Sequence, residues 1–238
     1  MPDTTINPEE VAKFSAIADE WWNPRGKFAP LHRINPIRID YIQSQILTHQ
    51  KPLEGIRLLD IGCGGGLIAE PMAQLGAHIS AIDASEKNIA VAKLHAQQSD
   101  LDINYQCTTA EALAKEGNQF DVVLALEIIE HVADVELFVE SVMQLVKPGG
   151  IAIFSTMNRT AKAYALAIIG AEYILRWLPR GTHDWQKFVT PSELRRPVEA
   201  HGGQVTHTTG MVMHPLTFEW SLKEHDLSVN YLLTSKKK

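Results

Sequence analysis

The sequence is short of cysteine, of excess positive charge and of long apolar runs, and each shortage removes a class of protein. Its two cysteines, Cys63 and Cys107, show no CxxC or Cys/His zinc spacing, so neither a disulfide framework nor a structural zinc knot is indicated. A reducing compartment fits. Lys and Arg number 22 against 28 Asp and Glu, a formal net charge of −6. A chain without a broad positive field is a poor binder of phosphate backbones, so nucleic acid is excluded as the main partner. No stretch of about 18 apolar residues is present to span a bilayer, and the opening MPDTTINPEEVAKF lacks the basic start and apolar run of a secretory signal. The expected address is the cytoplasm. What remains, 238 residues with 45% hydrophobic and 21% charged content, is a globular composition with enough chain for one sizeable core.

Two textures follow one another along the chain. Residues 1–52 carry helical spacing, the Trp21-Trp22 pair and three punctuating prolines, Pro24, Pro30 and Pro36, and read as a helical N-terminal extension covering the site. Residues 53–238 alternate short apolar runs with amphipathic segments. The runs IRLLDIG, AHISAID, INYQCT, FDVVLAL and GIAIFST predict parallel strands with helices on both faces, KPGG at 147–150 being the turn before the fifth. VTHTTGMVM and LSVNYLLTS add two more. The expected fold is α/β, a Rossmann-like, mostly parallel sheet of seven strands flanked by helices.

The strongest local signal is LLDIGCGGGLIAEPMA at 58–73, an apolar strand running through Gly62, Gly64, Gly65 and Gly66 into a helix. Glycines there let a ligand approach the main chain, and the loop after the first strand of an open α/β sheet borders the ligand crevice. Asp83 ends the second strand, about 20 residues on, where an acidic side chain takes both hydroxyls of a ribose; the competing reading is a helix cap. The dinucleotide fingerprint needs Gly or Ala where this chain has Leu67, and Asp60 beside the loop would repel a pyrophosphate yet accept from an ammonium. S-adenosyl-L-methionine has a ribose and an ammonium and no phosphate. A nicotinamide oxidoreductase is further disfavoured by the lack of a Tyr-x-x-x-Lys pattern.

With LLDIGCGGG, Asp83, FDVVLALEIIEHV and LVKPGG in place, the chain resembles class I S-adenosylmethionine-dependent methyltransferases. Its flanks, KFSAIADEWWNPRGKFAPLHRINPIRIDYI at 13–42 and NRTAKAYALAIIGAEYILRWLPRGTHDWQKFVTPSEL at 158–194, with MHPLTFEW and VNYLL near the end, resemble the ubiquinone biosynthesis O-methyltransferases. The resemblance implies methylation of ring hydroxyls on polyprenylated phenols or quinols, 2-polyprenyl-6-hydroxyphenol and 3-demethylubiquinol. It implies cofactor contacts at Arg38, Gly62, Asp83 and Leu126, with Arg38 on the methionine carboxylate, and adenine contacts at Ala110 and Glu111. Leu126 departs from the Met of some relatives. Another class I methyltransferase and a non-catalytic subunit are the competing readings, the second opposed by the intact glycine, Asp83 and acidic positions.

Glu127, Glu130 and His131 follow the fourth strand at spacings that gather them on one side of a helical turn. Two carboxylates beside an imidazole suit a divalent cation, although acidic residues also favour a solvated helix start. The resemblance implies a cation, Mg²⁺ above all, held by these three, with His131 as the base if no metal is present. Residues 160–180, within an insert at about 158–185, are apolar with Lys162, Arg176 and Arg180 at the edges and Tyr164, Tyr173 and Trp177 among them. They read as an interfacial helix or as a buried helix or lid. A membrane-resident isoprenoid substrate favours the first, and with it peripheral association with the inner membrane and contact with other proteins of ubiquinone biosynthesis.

Overall fold

The structure is a computed structural model that describes residues 4–49, 53–166, 168, 184–214 and 217–238. Five strands run parallel: β1 (Arg57–Ile61), β2 (His78–Asp83), β3 (Asn104–Cys107), β4 (Phe120–Leu126) and β5 (Val146–Met157). β6 (Gly203–Met213), β7 (Trp220–Lys223) and β8 (Asn230–Lys237) complete the sheet in the order β3-β2-β1-β4-β5-β8-β6-β7, with β8 antiparallel to both its neighbours and β7 antiparallel to β6. The order reverses between β1 and β4. Their carboxyl ends therefore diverge into connections on opposite sides, and a crevice opens between them.

Alternation along the strands divides the core. Leu58, Val122 and Leu124 face one layer, built with α2 (Ala29–His49), α3 (Ala69–Gln74) and α4 (Glu86–Gln98). Leu59, Val123 and Ala125 face the other, built with α6 (Val135–Leu145) and α8 (Pro191–Ala200), and with α5 (Ala110–Lys115) at its side. Both faces are dry, so the strands read as continuous apolar runs.

Three sequence expectations change. The sheet has eight strands instead of seven, because WSLK at 220–223 pairs with the end of β6 as a short edge strand. One of its residues is half-buried and three are exposed, so it carries little apolar alternation to detect. KPGG is absorbed into β5, whose pairing with β4 shifts register between Phe120 and Val122, so the glycines make an irregularity inside the strand rather than a turn before it. Pro36 lies inside the 21-residue α2. Losing one backbone bond there is outweighed by burying Ile34, Tyr41, Ile42 and Ile46 against the sheet.

Before α2 come α1 (Pro8–Ser15) and a single 3₁₀ turn at Ala18–Glu20. Asn7 caps α1 by accepting from the amides of Glu9 and Glu10. After β5 lies the short α7 (Ala161–Ala163), started by the Thr160 cap. Most of the apolar segment 160–180 lies outside the described residues; of its described part, Tyr164 and Leu166 are exposed. No helix among the described residues is long and apolar enough to cross a membrane.

Candidate active site

A cavity of about 760 Å³ occupies the crevice at the ends of β1 and β4. It gathers Arg38, Asp60, Gly62, Gly64, Asp83, Ala110, Leu126, Glu127, Glu130 and His131, ten of the sequence-selected residues, from separate elements. Glu111 stands apart. Its carboxylate accepts from the Thr5 amide at 2.8 Å and from the hydroxyls of Thr4 and Thr5 at 3.0 Å, which fastens the N-terminal segment instead of lining the cavity.

The glycine loop is shaped by backbone that bends the left-handed way. Gly62 has φ +72° and donates to the Ile82 carbonyl at 2.8 Å; Gly64 has φ +54° and donates to Asp83 Oδ2 at 3.0 Å. A side chain at Gly64 would enter the Trp21 indole. Asp83 also accepts from the Ser85 amide at 2.8 Å and from Asn88 Nδ2 at 3.2 Å. Burial raises its pKa while these bonds oppose the shift. A carboxylate so fixed lines the cavity with acceptor capacity to spare.

Arg38 and Asp60 are buried charged residues on the cavity wall. Each is 3% exposed, and Arg38 Nε and Asp60 Oδ2 have no hydrogen-bond partner among the described residues. Arg38 donates to Asn35 Oδ1, and Asn35 in turn donates to the Leu67 carbonyl at 2.6 Å, which ties the guanidinium to the glycine loop. Burial pushes the Asp60 carboxyl up to about 7, the Arg38 charge pulls the other way, and Asp83 adds to the rise. Buried polar atoms are normally satisfied. Two orphaned atoms of opposite charge lining one cavity are a donor and an acceptor that a ligand with both a carboxylate and an ammonium can satisfy.

At the end of β4, Glu127 has φ +52°, a costly conformation for a residue with a side chain. It is held by neighbouring β5, since parallel register places Leu126 beside Ser155. Ser155 Oγ donates to Glu127 Oε1 at 2.7 Å, and Thr156 Oγ1 donates to Glu130 Oε2 at 2.6 Å. His131 turns the other way, its Nδ1 2.9 Å from Glu10 Oε2 on α1, with the Phe14 ring edge-on against it. The bond from His131 is the main reason the Glu10 carboxyl is held down to about 2. Among the described residues no group of three or more His, Cys, Asp or Glu side chains is arranged to hold a metal ion. That corrects the expected three-ligand set. The single turn at Ile129–His131 sends Glu130 inward to β5 and His131 outward to α1, so the spacing does not bring all three to one point.

The N-terminal segment forms the cavity's outer wall. Trp21 stacks on Phe28 with centroids 3.7 Å apart and donates to Asn88 Oδ1 at 3.0 Å. Trp22 stacks on His95 and donates to the Gly65 carbonyl at 2.9 Å. Lys187 Nζ lies 3.4 Å from Glu10 Oε1, so α1 is clamped from two sides. Sequence reasoning missed Asn35, Asn88, Glu10, Lys187 and the Ser155-Thr156 pair. Only the last pair had a readable signal, two hydroxyls at the end of the strand expected beside the acidic turn.

Residues 59–154 match the family model described as a methyltransferase domain. The chain is 55% identical over 239 aligned residues to a ubiquinone biosynthesis O-methyltransferase of Cereibacter sphaeroides, covering 98% of this chain and 97% of that protein. A ubiquinone biosynthesis O-methyltransferase of Ruegeria pomeroyi is 53% identical, covering 97% and 96%. Among solved structures, magnesium protoporphyrin IX methyltransferase from Synechocystis with bound S-adenosylmethionine superposes with a TM-score of 0.66 at 17% identity, over 96% of this chain and 97% of that one. The form with bound S-adenosylhomocysteine gives 0.63 at 20%, over 84% and 82%. At that identity the likeness is one of fold.

Proposed function

The chain belongs to the ubiquinone biosynthesis O-methyltransferase family and is an S-adenosylmethionine-dependent O-methyltransferase, and from that premise we propose that it methylates the ring hydroxyls of 2-polyprenyl-6-hydroxyphenol and 3-demethylubiquinol. The observation that carries the site assignment is the orphaned pair Arg38 Nε and Asp60 Oδ2 on the cavity wall. Arg38 takes the methionine carboxylate, Asp60 the ammonium, and Asp83 the ribose hydroxyls, while Gly62 and Gly64 let the sulfonium end lie against backbone. Ala110 and Leu126 flank the adenine and the methionine arm. Residues 4–28 act as the cover of the cofactor.

The reaction is an in-line displacement. A ring oxygen attacks the sulfonium methyl, the carbon–sulfur bond breaks, and the sulfur leaves as a neutral thioether. A phenol with a pKa near 10 is mostly protonated at neutral pH, so the hydroxyl proton must be taken up as the new bond forms. Where no cation is bound, His131 receives it, oriented by Glu10 on its Nδ1. Glu127 and Glu130, fixed by Ser155 and Thr156, orient the ring oxygens. Holding oxygen and methyl in line supplies much of the rate.

The two carboxylates, without His131, also fit Mg²⁺, which is usually bound by one or two carboxylates with the rest of its oxygens from substrate and water. When bound there, the cation lowers the pKa of a ring hydroxyl. The test is transfer of a labelled methyl group from S-adenosylmethionine to a prenylated catechol, before and after exhaustive chelation. The expected result is O-methylated product, lost on chelation and restored by Mg²⁺. Failure to methylate any prenylated catechol would overturn the substrate assignment, and full turnover in EDTA would remove the cation.

Asp60 makes cofactor affinity depend on pH. Its carboxyl is raised to about 7 in the free protein, and an ammonium ligand favours the ionised form, so binding expels a proton wherever Asp60 is protonated. Affinity for S-adenosylhomocysteine should be level above about pH 7 and fall below it, approaching tenfold per pH unit. Calorimetry across that range checks it; a flat profile in the wild type would detach Asp60 from the ammonium.

We also assign residues 160–180 to peripheral contact with the membrane that holds the isoprenoid substrate, a reading supported by exposed Tyr164 and Leu166 at its start. Flotation with anionic vesicles at low salt should carry the intact protein upward. Its absence from the vesicle fraction would end that assignment.

A further inference from the structure

The cavity is one void with two kinds of wall. Its lining includes the polar side chains of Arg38, Asp60, Asp83 and Asn88, and, from the ends of β5, β6 and β7 and the residue before β8, the apolar side chains of Met157, Met211, Met213, Trp220 and Val229. The volume of about 760 Å³ takes in both. We propose that this apolar chamber is the binding site for the first isoprene units of the substrate's tail, and that the tail leaves it past Leu166.

Four features carry the assignment, which rests on the substrate class proposed above. First, these walls belong to the same cavity as the carboxylates that orient the ring, so a substituent on a ring seated there can extend along them. Second, three of its five named walls are methionines. Their unbranched, polarizable side chains adapt to an irregular hydrocarbon chain without losing contact. Third, Leu166 lines the cavity and is 52% exposed, so the chamber reaches the surface at the start of the apolar segment assigned to the membrane. Lys162 lines the same side, with its ammonium held at 2.8 Å by Ser228 Oγ and at 3.2 Å by Asp226 Oδ2, which leaves its alkyl stem as the surface offered to a tail. Fourth, Met213 and Trp220 are direct partners across β6 and β7. The edge strand thus contributes a wall of the chamber.

A ring without a tail leaves the space beside these walls unfilled. A tail that fills it gains the hydrophobic contribution of each methylene removed from water, so the chamber should select for prenylated rings. The experiment compares kcat/KM for a catechol carrying a geranyl chain with kcat/KM for the same catechol without it, using the full-length protein. The wild type should prefer the geranylated substrate by more than about tenfold. Met213→Trp, which fills the chamber, and Trp220→Ala, which removes a wall, should each cut that preference by about tenfold or more. A ratio divides out any general loss of folded enzyme, and the thermal shift given by S-adenosylhomocysteine verifies that the cofactor end is formed. Equal kcat/KM values for both substrates in the wild type, or an unchanged preference in both variants, would overturn the chamber while leaving the O-methyltransferase reading intact. A wild type that methylates neither substrate would overturn the substrate assignment itself, and the chamber with it.

Discussion

Replacing Arg38 with alanine should abolish measurable binding of S-adenosylhomocysteine and lower the thermal midpoint of the ligand-free protein by roughly 10 °C. The two effects have one cause. Arg38 is the buried cation between Asp60 and Glu127, whose charges oppose the fall that burial imposes on its own pKa. Removing one member of a buried charge set leaves the others uncompensated and costs about 3–5 kcal/mol, and each kcal/mol moves the midpoint of a protein this size by about 2–4 °C. Binding suffers further, because the ligand carboxylate assigned to Arg38 loses a charge-assisted partner and Asn35, which donates to the Leu67 carbonyl, loses the donor to its own Oδ1. Arg38→Lys separates the contributions. A lysine restores charge without the planar fork, so stability should recover more than affinity does. Undiminished ligand-induced stabilisation of Arg38→Ala would remove Arg38 from the cofactor site.

Gly64→Val should be nearly as severe, through geometry instead of charge. The residue sits at φ +54°, where a β-branched side chain is strained by about 1–2 kcal/mol, and its Cβ would lie inside the Trp21 ring. The indole cannot retreat cheaply, because it stacks on Phe28 and donates to Asn88, and Asn88 in turn donates to Asp83. Displacing Trp21 therefore disturbs the carboxylate assigned to the ribose as well as the cover above it. Affinity for S-adenosylhomocysteine should drop by more than about a hundredfold, equivalent to about 3 kcal/mol, with a change in tryptophan fluorescence marking the displaced indole. The same variant binding at wild-type affinity would show that the loop tolerates bulk and does not press against the ligand.

Legibility followed the range of the forces involved. The glycine loop, Asp60 and Asp83 were readable because the tight turn, the strand before it and the next strand end are written in contiguous residues. The parallel order was readable because fully buried strands must be apolar on both faces. Arg38 was not readable from spacing. It comes from a helix whose Pro36 looked like a boundary, and only burial against the sheet keeps that helix intact. The acidic turn was located correctly along the chain but not in space: one 3₁₀ turn points Glu130 and His131 at different partners, and those partners, Thr156 and Glu10, lie on elements that no local pattern connects to it. Strand β7 was invisible for a similar reason, since its pairing with β6 places it and its own composition does not.

The fastening of the N-terminal segment also fixes the order in which the site can mature as the chain is made. Thr5 and Glu10 are made well before their partners Glu111, His131 and Lys187, which follow 106, 121 and 177 residues later. Contacts of such long range form late, because the loops they close are long. A nascent chain can therefore assemble β1 to β4 and shape the glycine loop while its roof is still unattached, and the crevice is sealed only when the segment around Lys187 has emerged. Competence for chemistry thus waits for Lys187, which is made after the parallel half of the sheet is complete.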